Sequence, residues 1–308
     1  MMKTSTIFIM KGATFLLIAS LTLTGLANQP QQDGELQDPP WLKELLPKRI
    51  VYTVPGMEQV RVRKDLTYKR AADAELKMDV YTPTDLQSGA RRPAVIFIHG
   101  GYLPPNLRTK PKDWGVYVSY GQLLAASGFI AVTFNHRFYG WDRLGDAQSD
   151  VTDLIAYVRN NADSLNVDKD RLSLWAFSGG GPFLSQAVRD APPYVRCVVS
   201  YYAILDLQPL RKEIPAAVAD EALREFSPFY HLGRKGKEVP PVFIARAGLD
   251  RPELNNTIDR FVQEALAKNV TIDLSNHPSG RHAFDILDDN DRSREIIKRT
   301  VDFIRAHN

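Results

Sequence analysis

Five short and almost wholly apolar runs, at residues 94–99, 130–135, 172–177, 197–201 and 242–245, are separated by stretches long enough for a helix, and this succession limits the fold more than any other feature. A strand that is apolar on both faces must be covered on both faces, which suits parallel strands sandwiched between helices. The intervening stretches carry the helical period. Val151, Leu154, Ile155 and Val158 fall on one face of a segment that starts near Asp146, Ile258, Phe261, Val262 and Ala265 do the same, and Ile296, Ile297, Val301 and Ile304 mark a last helix. The runs at 60–63 and 76–81 are more polar and alternate, as antiparallel edge strands do, and a further run lies at 270–274. The pattern predicts a three-layer α/β domain over residues 41–308 with a mostly parallel sheet of about eight strands. Residues 205–240 break the rhythm with Pro209, Pro215 and Pro228 and a helical segment at 216–226. They read either as a small cap over the C-terminal edge of the sheet, where open α/β sheets bind ligands, or as a plain surface excursion.

The remainder of the composition excludes more than it suggests. With 44% apolar and 24% charged residues in 308, and with its 20 prolines and 19 glycines dispersed, the chain is neither disordered nor of low complexity. Lys3 and Lys11 precede an apolar stretch at 13–26 that ends in small residues, the order of a secretory signal over residues 1–27; a retained anchor is the alternative. Residues 28–40 are polar, end in Pro39-Pro40 and read as a flexible leader. The expected destination is outside the cell membrane, periplasmic or secreted, with no stable membrane span after processing. Loss of residues 1–27 lowers the formal charge from +3 to +1, and no long Lys/Arg tract remains, which argues against a nucleic-acid partner. Cys197 is the only cysteine and reads as a small buried apolar residue.

Four segments carry residues fit for chemistry. The run 172–177 empties into Ser178-Gly179-Gly180-Gly181, with Ala176 two residues before the serine. Small neighbours allow a sharp strand-to-helix turn that lifts a hydroxyl above the sheet, with a helix expected from Gly179. The run 94–98 ends in His99-Gly100-Gly101-Tyr102. Here the amides of Gly101 and Tyr102, with that of Gly179, are candidates for an oxyanion hole, and His99 for fixing the loop. Asp250 stands just past the run 242–245, with Asp285 as a competing carboxylate. His282 follows the run 270–274 in a glycine-containing loop, and His277 is five residues away. A neutral imidazole can take the serine proton while a carboxylate holds its tautomer, and the order Ser178, Asp250, His282 is the chain order of one class of hydrolases.

With these segments in view, the chain from about Leu66 to Asn308 resembles the α/β-hydrolase superfamily, and within it the secreted esterase and lipase-like group that is similar to dienelactone hydrolases and acyl-peptide hydrolases. Leu66-Thr67-Tyr68 with residues 76–83 resembles the opening hairpin, His99-Gly100-Gly101 the oxyanion loop, and Asn135-His136-Arg137 the segment where many members carry Asp-Tyr-Arg. Ser227-Pro228, with His231 after it, resembles a structural stretch that closes the cap. Ala176 in place of glycine and the 102–112 loop depart from the pattern. The resemblance implies Ser178 as nucleophile, Asp250 as acid and His282 as base in the cleavage of small carboxylic esters, a reaction that needs no cofactor or metal; an esterase acting on an acylated sugar is equally compatible with the same triad. A peptidase of the same fold acting on short peptides and a catalytically silent binding module are the alternatives. Tyr102, Trp114, Tyr201 and Tyr202 are the aromatic residues that either line a substrate surface or pack in the core.

Overall fold

The computed structural model describes residues 36–233 and 238–308. The signal reading of residues 1–27, and the leader as far as residue 35, lie outside them. Eight strands form one sheet: β1 (Arg61–Arg70), β2 (Glu75–Thr82), β3 (Arg92–Ile98), β4 (Ile130–Phe134), β5 (Val167–Phe177), β6 (Val195–Tyr201), β7 (Val242–Ala247) and β8 (Ile272–His277). Their spatial order is β1-β2-β4-β3-β5-β6-β7-β8. β1 pairs with β2, and β2 with β4, antiparallel; every later pairing is parallel. The three-layer, mostly parallel architecture expected from the apolar runs is the one observed.

Nine helices surround the sheet among the described residues: α1 (Pro40–Leu45), α2 (Gly115–Ala126), α3 (Leu144–Asn160), α4 (Ala162–Leu165), α5 (Ser185–Asp190), α6 (Asp220–Glu225), α7 (Pro252–Ala267), α8 (Phe284–Leu287) and α9 (Asp291–His307). Strand residues alternate between faces, and the apolar runs feed two separate cores. Ala94, Ile96, Ile98 and Leu174 pack with Val151, Leu154 and Val158 of α3 and Ile258 and Phe261 of α7. Val95, Phe97, Trp175 and Phe177 pack with Tyr120 and Leu124 of α2 and Ile296, Ile297 and Ile304 of α9. Each such side chain removed from water contributes about 1.5–3 kcal/mol, so the central strands are held from both sides. β1, mostly exposed, forms the edge. Pro252 at the first turn of α7 and the Asn290 side chain, which accepts from Ser293 N at the start of α9, set two of the helix beginnings.

Two boundaries differ from expectation. β8 runs three residues further than its apolar stretch, because pairing from Val242↔Ile272 to Ala247↔His277 continues through polar residues. The helix of the 205–240 region is only Asp220–Glu225, since Val218 N closes a separate turn on Pro215 O at 3.0 Å. Residues ahead of Trp41 are also tied to the 102–112 loop: Gln37 N donates to Asn106 O at 3.2 Å, and the Asp38 carboxylate accepts the amide and hydroxyl of Thr109 at 2.9 and 2.7 Å.

The described part of the 205–240 region lies against the body of the fold. Leu205, Leu207, Leu210 and Leu223 join the first core. Ser227 Oγ donates to Leu223 O and accepts from Leu207 N at 2.6 and 2.8 Å. Arg260 of α7 pairs with buried Asp206, and Arg251 with Glu213. The unfamiliar 102–112 loop is tied down by Lys112, whose ammonium meets Asp65, Asp79 and Asp113 at 2.9, 3.1 and 2.8 Å.

Candidate active site

The C-terminal ends of the parallel strands bring the predicted residues together. β5 delivers Ser178 at φ +49, a left-handed conformation that is costly for a non-glycine residue, and the carbonyl of Ser178 is held by Ile204 N at 3.0 Å. The chain then makes a tight 3₁₀ run over Ser178–Leu184 before α5 begins at Ser185. The helix expected from Gly179 starts six residues later because three glycines favour helix poorly and Pro182 lacks an amide donor. Gly180 is obligatory here: a Cβ on it would stand 2.7 Å from the carbonyl oxygens of Ile98 and His99. Ala176 lies inside β5, buried and paired with Ile98 and Ser200, and its φ is not positive. Alanine therefore suits this position without strain.

His282 Nε2 is 2.9 Å from Ser178 Oγ, and Nδ1 is 2.6 Å from Asp250 Oδ2. The Asp250 side chain is 3% exposed and that of His282 35%, so the pair is dry on the carboxylate side and open toward the serine. Two loops build it, and they are hydrogen-bonded to each other. Gly248 N donates to His277 O at 2.8 Å, Leu249 N to Gly280 O at 2.9 Å, and Asp250 is oriented by the Arg251 amide on Oδ1 at 2.8 Å. On the other side of His282, Arg281 grips Asp288 through its amide and Nε at 2.8 and 2.6 Å.

The candidate oxyanion loop is defined by what is pinned around it. The Gly100 amide donates to Tyr117 Oη at 3.1 Å, and Leu103 N to Phe138 O at 2.9 Å. The amides between them, Gly101 and Tyr102, donate to no acceptor among the described residues. Gly101 takes φ +74, which glycine adopts freely, and its amide nitrogen would be 2.9 Å from a Cβ on Gly179. The two candidate amide sources are thus neighbours. His99 stands beneath the loop: its Nδ1 donates to Gly100 O at 3.1 Å, and its ring stacks on His136 with centroids 3.6 Å apart. Burial pushes His99 down to about 4 and His136 well below the ordinary imidazole range, so both rings are neutral supports.

The competing residues are placed elsewhere. His277 is buried in β8 with Nε2 3.0 Å from Ser293 Oγ, and His231 Nε2 is bonded to Glu225 O at 2.8 Å. Asp285 is buried and receives the hydroxyls of Tyr202 and Tyr120. Trp114, Tyr201 and Tyr202 are core residues; of the four aromatics, Tyr102 alone is half-exposed, edge-on to Phe138 and Trp141. Burial raises the Cys197 thiol to about 12, which keeps it protonated and inert. Sequence reasoning missed the Tyr117 hydroxyl and the His99–His136 stack, both long-range pairings with no local signature.

The family model BD-FAE matches residues 78–251, more than half of the chain, including Ser178 and Asp250. The chain belongs to the BD-FAE family. The family's span stops before His282, which the fold alone returns to the site. Among curated relatives, mouse (Mus musculus) carboxylesterase 3B is 25% identical over 117 residues, 36% of this chain and 20% of that protein. A probable isoprenylcysteine alpha-carbonyl methylesterase of Oryza sativa subsp. japonica is 30% identical over 120 residues, 37% of this chain and 26% of that protein. The chain thus spans about a quarter or less of these relatives. Among solved structures, the native thermophilic esterase Est2 of the planctomycete Thermogutta terrifontis has TM-score 0.65 at 19% identity, covering 82% of this chain and 94% of that one. Its propionate-bound form gives TM-score 0.65 at 20% identity over 82% and 96%. At such identity the likeness speaks for the α/β fold. No helix among the described residues is long and apolar enough to cross a membrane.

Proposed function

We propose that this member of the BD-FAE family is a serine hydrolase that cleaves small carboxylic esters through an acyl-enzyme. The observation that carries the reading is His282 bridging Ser178 Oγ at 2.9 Å and Asp250 Oδ2 at 2.6 Å. In this scheme His282 Nε2 takes the Ser178 proton as Oγ attacks the ester carbonyl. The Gly101, Tyr102 and Gly179 amides receive the oxyanion, and the imidazolium, supported by Asp250, gives its proton to the departing alkoxide. Water activated by the same histidine then releases the acid and frees Ser178. That a protein of the same fold, Thermogutta terrifontis Est2, is known with propionate and butyrate bound and phosphorylated by paraoxon supports a short acyl group and a reactive nucleophile.

An acylated sugar as substrate is favoured by Tyr102, half-exposed beside the oxyanion amides, where an aromatic face can stack on a sugar ring. Kinship with dienelactone and acyl-peptide hydrolases rests on the sequence motifs, and export beyond the cell membrane on the charge and apolar order of residues 1–27. A fluorophosphonate probe labels Ser178 in the wild type on this reading, and Ser178→Ala loses both labelling and p-nitrophenyl acetate hydrolysis. Labelling that survives in Ser178→Ala removes the nucleophile assignment, and a folded but probe-inert wild type points to a binding module. Acetylated sugars and peptide amides assayed beside the simple ester separate the substrate classes.

A further inference from the structure

Asp285 lies three residues beyond His282 in α8 and is fully buried. Its Oδ1 accepts the Tyr202 hydroxyl at 2.7 Å and its Oδ2 the Tyr120 hydroxyl at 2.9 Å. Burial raises the Asp285 carboxyl above the ordinary carboxylate range, and the hydroxyl donated to each oxygen, together with the nearby His282, opposes that rise and favours the ionised acceptor. Tyr120 comes from α2, packed on one face of the sheet, whereas Tyr202 follows the end of β6. Tyr202 sits at φ +38, a strained conformation for a bulky residue, with its amide tied to Ala245 O at 2.8 Å. The ring held there has its centroid 4.6 Å from that of His282, at an interplanar angle of 56°. Neither Asp285 nor Tyr202 is hydrogen-bonded to Ser178 or Asp250, so the proposed reaction scheme gives no reason for this arrangement.

We infer that Asp285, acting through Tyr202 and Tyr120, is a positioning residue for His282. The clamp presses the Tyr202 ring against the imidazole and limits its rotation, so that Nε2 stays on Ser178 while Nδ1 stays on Asp250. It also sets a second buried negative charge and an aromatic face beside the imidazolium that forms as Ser178 attacks. The titratable groups around Asp285 are Tyr117 and Tyr120 from α2, Tyr201 and Tyr202 from the end of β6, and His282 from its own loop. Of these only the imidazole becomes a cation, so the charge of Asp285 is directed at the catalytic histidine.

The inference rests on the roles assigned to Ser178 and His282, and the test is chosen to separate the two. Asp285→Asn and Tyr202→Phe are prepared in the full chain, kcat and KM for a short p-nitrophenyl ester are followed against pH, and the His282 ring is titrated by NMR in the free protein, its signal assigned by its loss in His282→Gln. Asp285→Asn is expected to lower kcat about tenfold or more with KM within about twofold, because the imidazolium loses support. The acid limb of kcat/KM and the His282 titration midpoint both move to lower pH by about half a unit, the direction expected when a nearby negative charge is removed. Tyr202→Phe, which keeps the ring, gives a smaller change of the same sign in each. Folded variants with wild-type kcat, acid limb and titration midpoint overturn the inference and leave Asp285 a packing residue. Should Asp285→Asn not fold, Tyr202→Phe decides by the same readings. A wild type that hydrolyses no ester defeats the functional reading alone, since the ring titration still reports on the clamp.

Discussion

His99 and His282 both stand at the C-terminal edge of one sheet, and the protein makes opposite use of them. His99 is 2% exposed, stacked on His136, and both its ring nitrogens face backbone groups. His282 keeps a partly open ring with a carboxylate on one nitrogen and a serine hydroxyl on the other. Burial without a counter-charge suppresses protonation, while a buried carboxylate partner makes the imidazolium affordable at the moment of proton transfer. The contrast shows that the surroundings, and not the residue type, decide which histidine can act as base and which is a strut.

The contrast is broken first at the base. His282→Gln is expected to lower kcat/KM by about 10⁴-fold, and His136→Gln by less than about tenfold while lowering Tm; comparable activity losses in both would erase the distinction. The second test is acid. His99 titrates near 4 in the fold against an ordinary 6.5, so between these values the unfolded chain binds more protons than the folded one. The stability contribution is therefore complete above about pH 6.5 and is lost as pH falls toward about 4, on the order of 3 kcal/mol for His99, with His136 adding in the same direction. Thermal unfolding followed from pH 7 to pH 4.5 should show a steady fall in Tm, and a flat profile would mean that the stacked rings take up protons as readily in the fold as in the unfolded chain.

A third variant sharpens the comparison at the loop that His99 supports. Gly101→Ala forces a side chain onto φ +74 and is expected to reduce kcat about tenfold to a hundredfold with little change in KM, as a displaced oxyanion donor would. An unchanged kcat would place the oxyanion elsewhere. The smallest effect belongs to Ala176→Gly. It restores the glycine common before such serines, yet it should leave kcat unaltered and lower stability by about 1 kcal/mol, because position 176 is an ordinary buried strand residue. A gain in activity would show that alanine strains the turn after all.

Much of this was legible in the residues themselves. The apolar runs at 94–99, 130–135 and 172–177 read as central strands, because side chains that are apolar on both faces need two covering layers, and the parallel order followed from the helices between them. Ser178 was marked by the small residues around it, and Asp250 and His282 by their places after strands. The end of β8 was not legible, since strand pairing carried it through Ser275 and Asn276 to His277 against the local pattern, and that same shift buried the rival histidine. Nor could the α-helix start at Ser185 be read from the motif, where Gly179 to Pro182 favoured a tighter turn.

What the sequence by itself determined was the layer architecture, the order of the strands' chemistry and the short roster of polar residues able to act on a carbonyl. Tertiary structure decided the choices within that roster. It selected Asp250 over Asp285 for the histidine and His282 over His277 for the serine, and it withdrew Tyr201, Tyr202 and Trp114 into the core. The physical reason is that periodicity and turn chemistry are local, written in neighbouring residues, whereas hydrogen-bond pairing at 2.6–2.9 Å joins positions 32 and 104 residues apart and exists only once the sheet has brought its strand ends together.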